Sequence, residues 1–167
     1  MRSRRVSLSK IVAKTLATSA PDWLAEAERA VLGADPGCSL SDQIHDGDAA
    51  YWIRVTRDRP DGSRERRTVG ALAARQDNEW LVWQWLAVDV AMRAFGYGGA
   101  SVPVVERAAK RVGLTGARVL VPASNGVALY FWLRLGYRPF PEGTWRRPYE
   151  GTWMVRNFFD KAQRHVR

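Results

Sequence analysis

The stretch Arg93-Ala94-Phe95-Gly96-Tyr97-Gly98-Gly99-Ala100 has the composition of an anion cradle. It follows an apolar run and precedes a helical pattern. Glycine permits positive φ and a close approach of backbone to ligand, so successive N–H groups can turn into one concavity. A helix opening there adds unpaired N–H groups and the positive end of its dipole, which suits a phosphate or pyrophosphate. Such turns are often empty, so the neighbouring residues decide. A P-loop needs a Gly-Lys-Ser/Thr end, absent after Gly99. A dinucleotide site wants Gly-x-Gly-x-x-Gly after the first strand of a βαβ unit, with an acidic residue about 20 positions on. Here the glycines follow a hairpin of strands instead.

Other residue types offer less chemistry. Cys38 is the only cysteine, which excludes an internal disulfide and a cysteine-based zinc site, and His45 and His165 are too few for a histidine-rich metal site. Nothing in Asp35-Pro36-Gly37 would lower the Cys38 pKa, so it reads as a loop bystander. Asp42, Asp46 and Asp48 would draw a cationic amine if their loop bordered an acceptor groove; a solvated, turn-forming loop is the simpler reading. Trp80, Trp83 and Trp85 share one strand, and alternation puts Trp83 and Trp85 opposite Trp80. Core packing is their default role. The alternative is an acceptor groove beside Trp132 suited to a flat, apolar or cationic amine.

The elements that would position the glycine turn follow from periodicity. Ser19-Ala20-Pro21-Asp22 starts a helix in which Trp23, Ala27, Ala30 and Val31 recur until Gly33. Leu8, Ile11, Val12 and Leu16 suggest an earlier short helix, together with a short first strand at Arg5 to Leu8. Residues 33 to 48 read as a loop. Tyr51 to Thr56 and Arg67 to Ala74 form a hairpin around Asp58-Arg59-Pro60-Asp61-Gly62-Ser63. Trp80 to Val88 is almost wholly apolar, as expected of a central strand covered on both faces. After the glycines, Val102, Val105, Ala108, Ala109 and Val112 make a helical stripe, with Pro103 in its first turn. Ala117 to Val121 is a strand, Asn125 to Leu135 a helix stopped by Gly136, and Tyr137 to Phe140 and Thr152 to Phe158 are closing strands.

At 167 residues the chain reads as one α/β domain, residues 1–167, with a helical part over 1–50 and the strand hairpin, cradle and closing strands over 51–158. No apolar run reaches about 18 residues, and the basic N-terminus is followed by a segment broken by Ser7, Ser9, Lys10 and Lys14. Neither a membrane span nor a signal peptide is expected, which implies a cytoplasmic protein. The formal charge of +9 invites nucleic acid. Yet the arginines are spread along the chain, and a solvated surface, or one that draws an anionic cofactor, accounts for them more simply.

Taken together, the motifs resemble the GNAT superfamily of acyl-CoA-dependent N-acyltransferases, over about Tyr51 to Phe158. That family's pyrophosphate loop reads Gln/Arg-x-x-Gly-x-Gly/Ala, matched by Arg93, Gly96 and Gly98. The strand before it usually ends Leu-x-Val, matched by Leu86-Ala87-Val88. Its next helix usually runs from Asn-x-x-Ala to a Gly-Phe pair, and Asn125, Ala128, Gly136 and Tyr137 hold those places. The resemblance implies a mixed, mainly antiparallel central sheet flanked by helices. It implies acetyl-CoA, or a related short acyl-CoA, as cosubstrate, without a metal. The N–H groups of residues 94 to 100 (Ala94, Phe95, Gly96, Tyr97, Gly98, Gly99 and Ala100) would hold the pyrophosphate. The Val88 main chain would pair with the pantetheine arm, and Asn125 would hydrogen-bond that arm from the other side. Asn125 also reads as a helix cap.

The acid and base depart from the family's pattern. The tyrosine that commonly protonates the leaving thiolate is replaced by Trp132, whose indole N–H cannot usefully transfer a proton. Tyr130, two residues away on a different side of the helix, is the candidate substitute. A glutamate that some relatives carry midway along the strand is Val82 here, and Gln84 cannot accept a proton. Glu79 and Asp89 are the nearest carboxylates, with Glu79 taken as candidate base and a water chain as the alternative. The reaction implied is direct attack of a primary amine on the thioester, the acceptor being a small amine, a protein amine or aminoacyl-tRNA. The double absence also admits a catalytically silent acyl-CoA-binding or nucleic-acid-associated module. The closing strands and exposed tryptophans would support a homodimer.

Overall fold

The computed structural model describes residues 5–11, 23 and 24, 48–141 and 150–159. Of the helix expected up to Gly33 only Trp23 and Leu24 are described, and both are helical; Val12, Leu16, Cys38, Asp42, His45, Asp46 and His165 lie outside the described residues.

Seven strands form one sheet in the order β1-β2-β3-β4-β5-β7-β6. They are β1 (Arg5–Lys10), β2 (Ala49–Asp58), β3 (Arg64–Asp77), β4 (Trp80–Val88), β5 (Gly116–Pro122), β6 (Arg138–Pro139) and β7 (Gly151–Asn157). Two helices, α1 (Tyr97–Arg111) and α2 (Gly126–Arg134), flank β5 in sequence, and a short 3-10 turn spans Val90–Met92. β1 with β2, β2 with β3, β5 with β7 and β6 with β7 pair antiparallel, whereas β4 and β5 are parallel. The sheet is therefore mixed and mainly antiparallel, as the sequence implied.

The short strand expected at Arg5 to Leu8 is present as β1, which pairs Leu8 with Ile53, so Leu8 is not part of the short helix expected with Ile11. One expectation needs correction. Pro103 is not in the first turn of its helix. α1 begins at Tyr97, inside the glycine turn, so Pro103 is interior. It brings no N–H to the Gly99 carbonyl.

The described residues cluster into two compact units. The first comprises residues 1–74 and 85–103. Ile53, Val69 and Leu72 are fully buried in it, and Trp85, Ala71, Ala73, Ala50, Ile11 and Leu24 form a second apolar cluster with Trp23 and Trp52 against it. Gly70 lets β3 approach β4 closely: a Cβ there would stand 2.6 Å from the Ala87 carbonyl oxygen.

The second unit comprises residues 75–84 and 104–167. Asn78, at φ 52°, and Glu79 reverse the chain from β3 into β4, and Trp80–Trp83 then pair with Gly116–Val119. Met154 and Tyr137 are fully buried, and Val105, Ala109, Leu114, Ala117, Val119, Trp83 and Trp132 are buried as well. The buried Arg118 pairs with Asp77 and lies over the Trp153 ring.

Candidate functional site

Trp85–Val88 is the last part of β4, beyond the Trp80–Trp83 stretch that pairs with β5. Trp85 and Ala87 point into the core, while Leu86 and Val88 are half-buried. The Asp89 N–H then donates to the Val69 carbonyl (2.9 Å), which ties the end of β4 to β3. Its carboxylate accepts the Ala91 N–H (3.0 Å) and meets the Arg67 guanidinium (3.3 Å), so the carboxylate following β4 is already engaged. Arg93 folds back, donating Nε–H to the Val88 carbonyl (3.2 Å).

Two left-handed residues then bend the chain into the helix: Ala94 at φ 63° and Gly96 at φ 80°. For alanine that conformation costs roughly 1–2 kcal/mol; at Gly96 it is free, and a Cβ there would meet nothing within 4 Å. The ladder of α1 opens with Ala100 N–H to the Gly96 carbonyl (2.9 Å), so the N–H groups of the opening turn have no intrahelical acceptor. Arg93 to Gly96 are exposed, and the first turn of α1 holds no acidic residue. Phe95 stacks on Tyr97 at 5.9 Å, and the buried Ser101 hydroxyl donates to the Gly98 carbonyl (2.8 Å). A solvent-facing, positively poled turn that opens a helix suits a phosphate. These residues fit the pyrophosphate of an acyl-CoA.

The remaining sequence candidates are in the second unit. Asn125 caps α2, its Oδ1 accepting the Ala128 N–H at 3.0 Å. Tyr130 is 63% exposed, with the Arg134 guanidinium 5.9 Å from its ring. Glu79 is exposed at the β3–β4 reversal, where its carbonyl accepts the Thr115 N–H (2.8 Å) and hydroxyl (3.3 Å). No hydrogen bond joins Tyr130 to Glu79 among the described residues. Val82 and Trp132, at the positions of the family's base and acid, are both buried.

Trp132 packs at 5.7 Å from Trp83 and edge-on at 4.9 Å from Tyr137. Beneath it runs a polar chain that sequence reasoning missed. Trp83 Nε1–H donates to the Tyr137 hydroxyl (2.7 Å), which donates to Glu106 Oε1 (2.6 Å), while Arg156 donates to Glu106 Oε2 (2.8 Å). Burial pushes the Glu106 carboxyl above the ordinary glutamate value, opposed by the Tyr137 hydrogen bond and the Arg156 charge. Burial, with the Glu106 charge beside it, pushes the Tyr137 phenol well above its ordinary value. The signal was available: Glu106 follows Val102 by four residues, on the apolar stripe, where a carboxylate needs partners. Trp83 and Trp85 are buried too.

Among the described residues no group of three His, Cys, Asp or Glu is placed to hold a metal ion, and no helix is long and apolar enough to cross a membrane. No protein-family model matches the chain, and no curated protein matches it either. Solved structures do. A GNAT-family acetyltransferase from Staphylococcus aureus Mu50 superimposes with a TM-score of 0.67 at 14% identity, over 93% of this chain and 100% of that one. The ribosomal-protein-S18-alanine N-acetyltransferase of Escherichia coli gives 0.60 at 12% identity, over 90% and 91%. A GNAT-family acetyltransferase from Elizabethkingia anophelis with acetyl-CoA bound gives 0.58 at 18% identity, over 90% and 94%. The chain has the fold of the GNAT acyl-CoA N-acyltransferases. At these identities the likeness is one of fold, and the activity has to be argued from the residues.

Proposed function

We propose that this chain transfers an acetyl or other short acyl group from acyl-CoA to a primary amine by direct attack, in the cytoplasm. The observation that carries the reading is the Arg93–Ala100 turn, with left-handed Ala94 and Gly96 and an acid-free helix start, directly after β4. The amine nitrogen bonds to the thioester carbonyl carbon, the carbon–sulfur bond breaks, the amine sheds a proton and the thiolate takes one up. Holding the thioester against strand amides orients it and polarises its carbonyl, which supplies much of the rate without a dedicated acid. Tyr130 is the candidate proton donor and Glu79 the candidate base. The E. coli structural neighbour acts on a protein alanine amine, which supports an amine acceptor in general and singles out no substrate here.

The test is a CoA titration with Gly98→Asp, which sets a carboxylate against the pyrophosphate. Binding by the parent and a loss of at least about tenfold in the variant is expected. Unchanged affinity would sink the reading.

Burial of both Val82 and Trp132 favours a second reading, a silent acyl-CoA-binding module. Thiol release from acetyl-CoA across panels of small amines, peptides and aminoacyl-tRNA separates the two. Binding without turnover selects the silent module.

A further inference from the structure

Arginines that look dispersed in the sequence converge on the β2–β3 arm. Between residues 54 and 67 the arm carries six arginines against Asp58, Asp61 and Glu65, and every residue from Arg57 to Arg67 is exposed. The register sorts them by face. Arg54 lies opposite Thr68, Thr56 opposite Arg66, and Asp58 opposite Arg64, so these six side chains share one face of the arm. Ser7 of β1 continues it beside Arg54. Arg64 meets Asp58 at 3.3 Å, whereas Arg66 has no ion pair among the described residues. On the opposite face Arg59 meets Glu65 and Arg67 meets Asp89, so the carboxylates there are already spoken for.

We propose that this arginine–hydroxyl face docks the phosphate backbone of a nucleic acid. Guanidinium groups offer phosphate a planar fork of donors, and serine and threonine hydroxyls are the other common phosphate donors. The named residues of the patch are all polar, and Trp52, the next residue on this face of β2, packs against the core cluster. A protein-binding surface would be built around an apolar, aromatic-rich centre, and a base-stacking surface would need exposed rings. What remains is sequence-independent contact to phosphates. The single carboxylate on the face, Asp58, lies at its rim beside the turn. The inference is independent of the acyl-CoA reading and is testable without that ligand.

The experiment is fluorescence anisotropy of the full chain with a labelled single-stranded RNA and a labelled duplex DNA, each about twenty nucleotides long, between about 50 and 200 mM salt. Binding at low salt should weaken linearly on a log–log plot. Arg64→Gln/Arg66→Gln should weaken it about tenfold and flatten the salt slope by about 2, since each lost phosphate contact removes about 1. Arg111→Gln, an exposed cation at the end of α1, should change nothing. Labelled polyglutamate should bind at least about tenfold more weakly than RNA. Circular dichroism keeps misfolded variants out of the comparison. No affinity for either nucleic acid at low salt, an equal loss in Arg111→Gln, or polyglutamate binding as tight as RNA would each overturn the proposal.

Discussion

The Tyr137 hydroxyl donates to Glu106 Oε1 at 2.6 Å inside the second unit, and both side chains are buried. The carboxyl is raised above its ordinary value of 4.5, burial being the largest cause. A raised acid contributes stability that is fully present below its unfolded pKa and is lost as pH climbs through its folded one. The stability of the parent relative to Glu106→Gln should therefore be greatest below about pH 4.5 and fall as pH rises. Urea unfolding of both proteins across pH checks this. A difference that is flat with pH, or grows with it, contradicts the assignment.

Tyr137→Phe deletes the hydroxyl that serves both neighbours. The Trp83 indole N–H loses its acceptor and Glu106 loses one donor, each buried, which should cost about 3 kcal/mol in all. It should also raise the Glu106 carboxyl further and move the loss of stability to higher pH. Chemical denaturation read by tryptophan fluorescence measures both effects.

The cradle allows opposite substitutions at two left-handed positions. Gly96→Ala introduces a Cβ that touches nothing, so its cost of roughly 1–2 kcal/mol comes from φ alone. Ala94→Gly relieves the same strain, partly offset by the extra freedom of glycine in the unfolded chain, and should leave the protein equally or more stable. Thermal melts read the stabilities. CoA titration should show Gly96→Ala weakened several-fold, because the N–H groups around the turn are re-aimed.

Tyr130→Phe tests the proton donor. As the acid it should lower kcat about a hundredfold, with the KM for acyl-CoA little changed. Full activity in Tyr130→Phe would leave protonation to water, which the exposure of Tyr130 makes easy to reach.

Much of this was legible because the strands obey simple patterns. The continuous apolar run from Trp80 to Val88 and the turn residues around Asp61-Gly62 locate β2, β3 and β4 to within a few residues. Asn125 and Gly136 likewise bracket α2. The start of α1 was misread for a physical reason: Gly96, Gly98 and Gly99 are poor helix formers, so propensity places the helix after them, whereas the chain enters it at Tyr97. The Glu106 chain was missed because its partners come from β4, the residue before β6 and β7, which only the folded sheet brings together. The arginine face is likewise a product of register, since a shift of one residue would scatter it over both faces.

Pro103 has a dynamic consequence. By denying Gly99 a donor it divides the hydrogen-bond ladder of α1, and the chain passes from the first compact unit to the second immediately after it. The turn from Tyr97 to Val102 is therefore expected to open without melting the rest of the helix. In amide hydrogen exchange its protons should trade with solvent faster than those of Val105 to Lys110, and an anion seated on them should slow that trade. The proline thus makes the opening turn of α1 a gauge of its own occupancy.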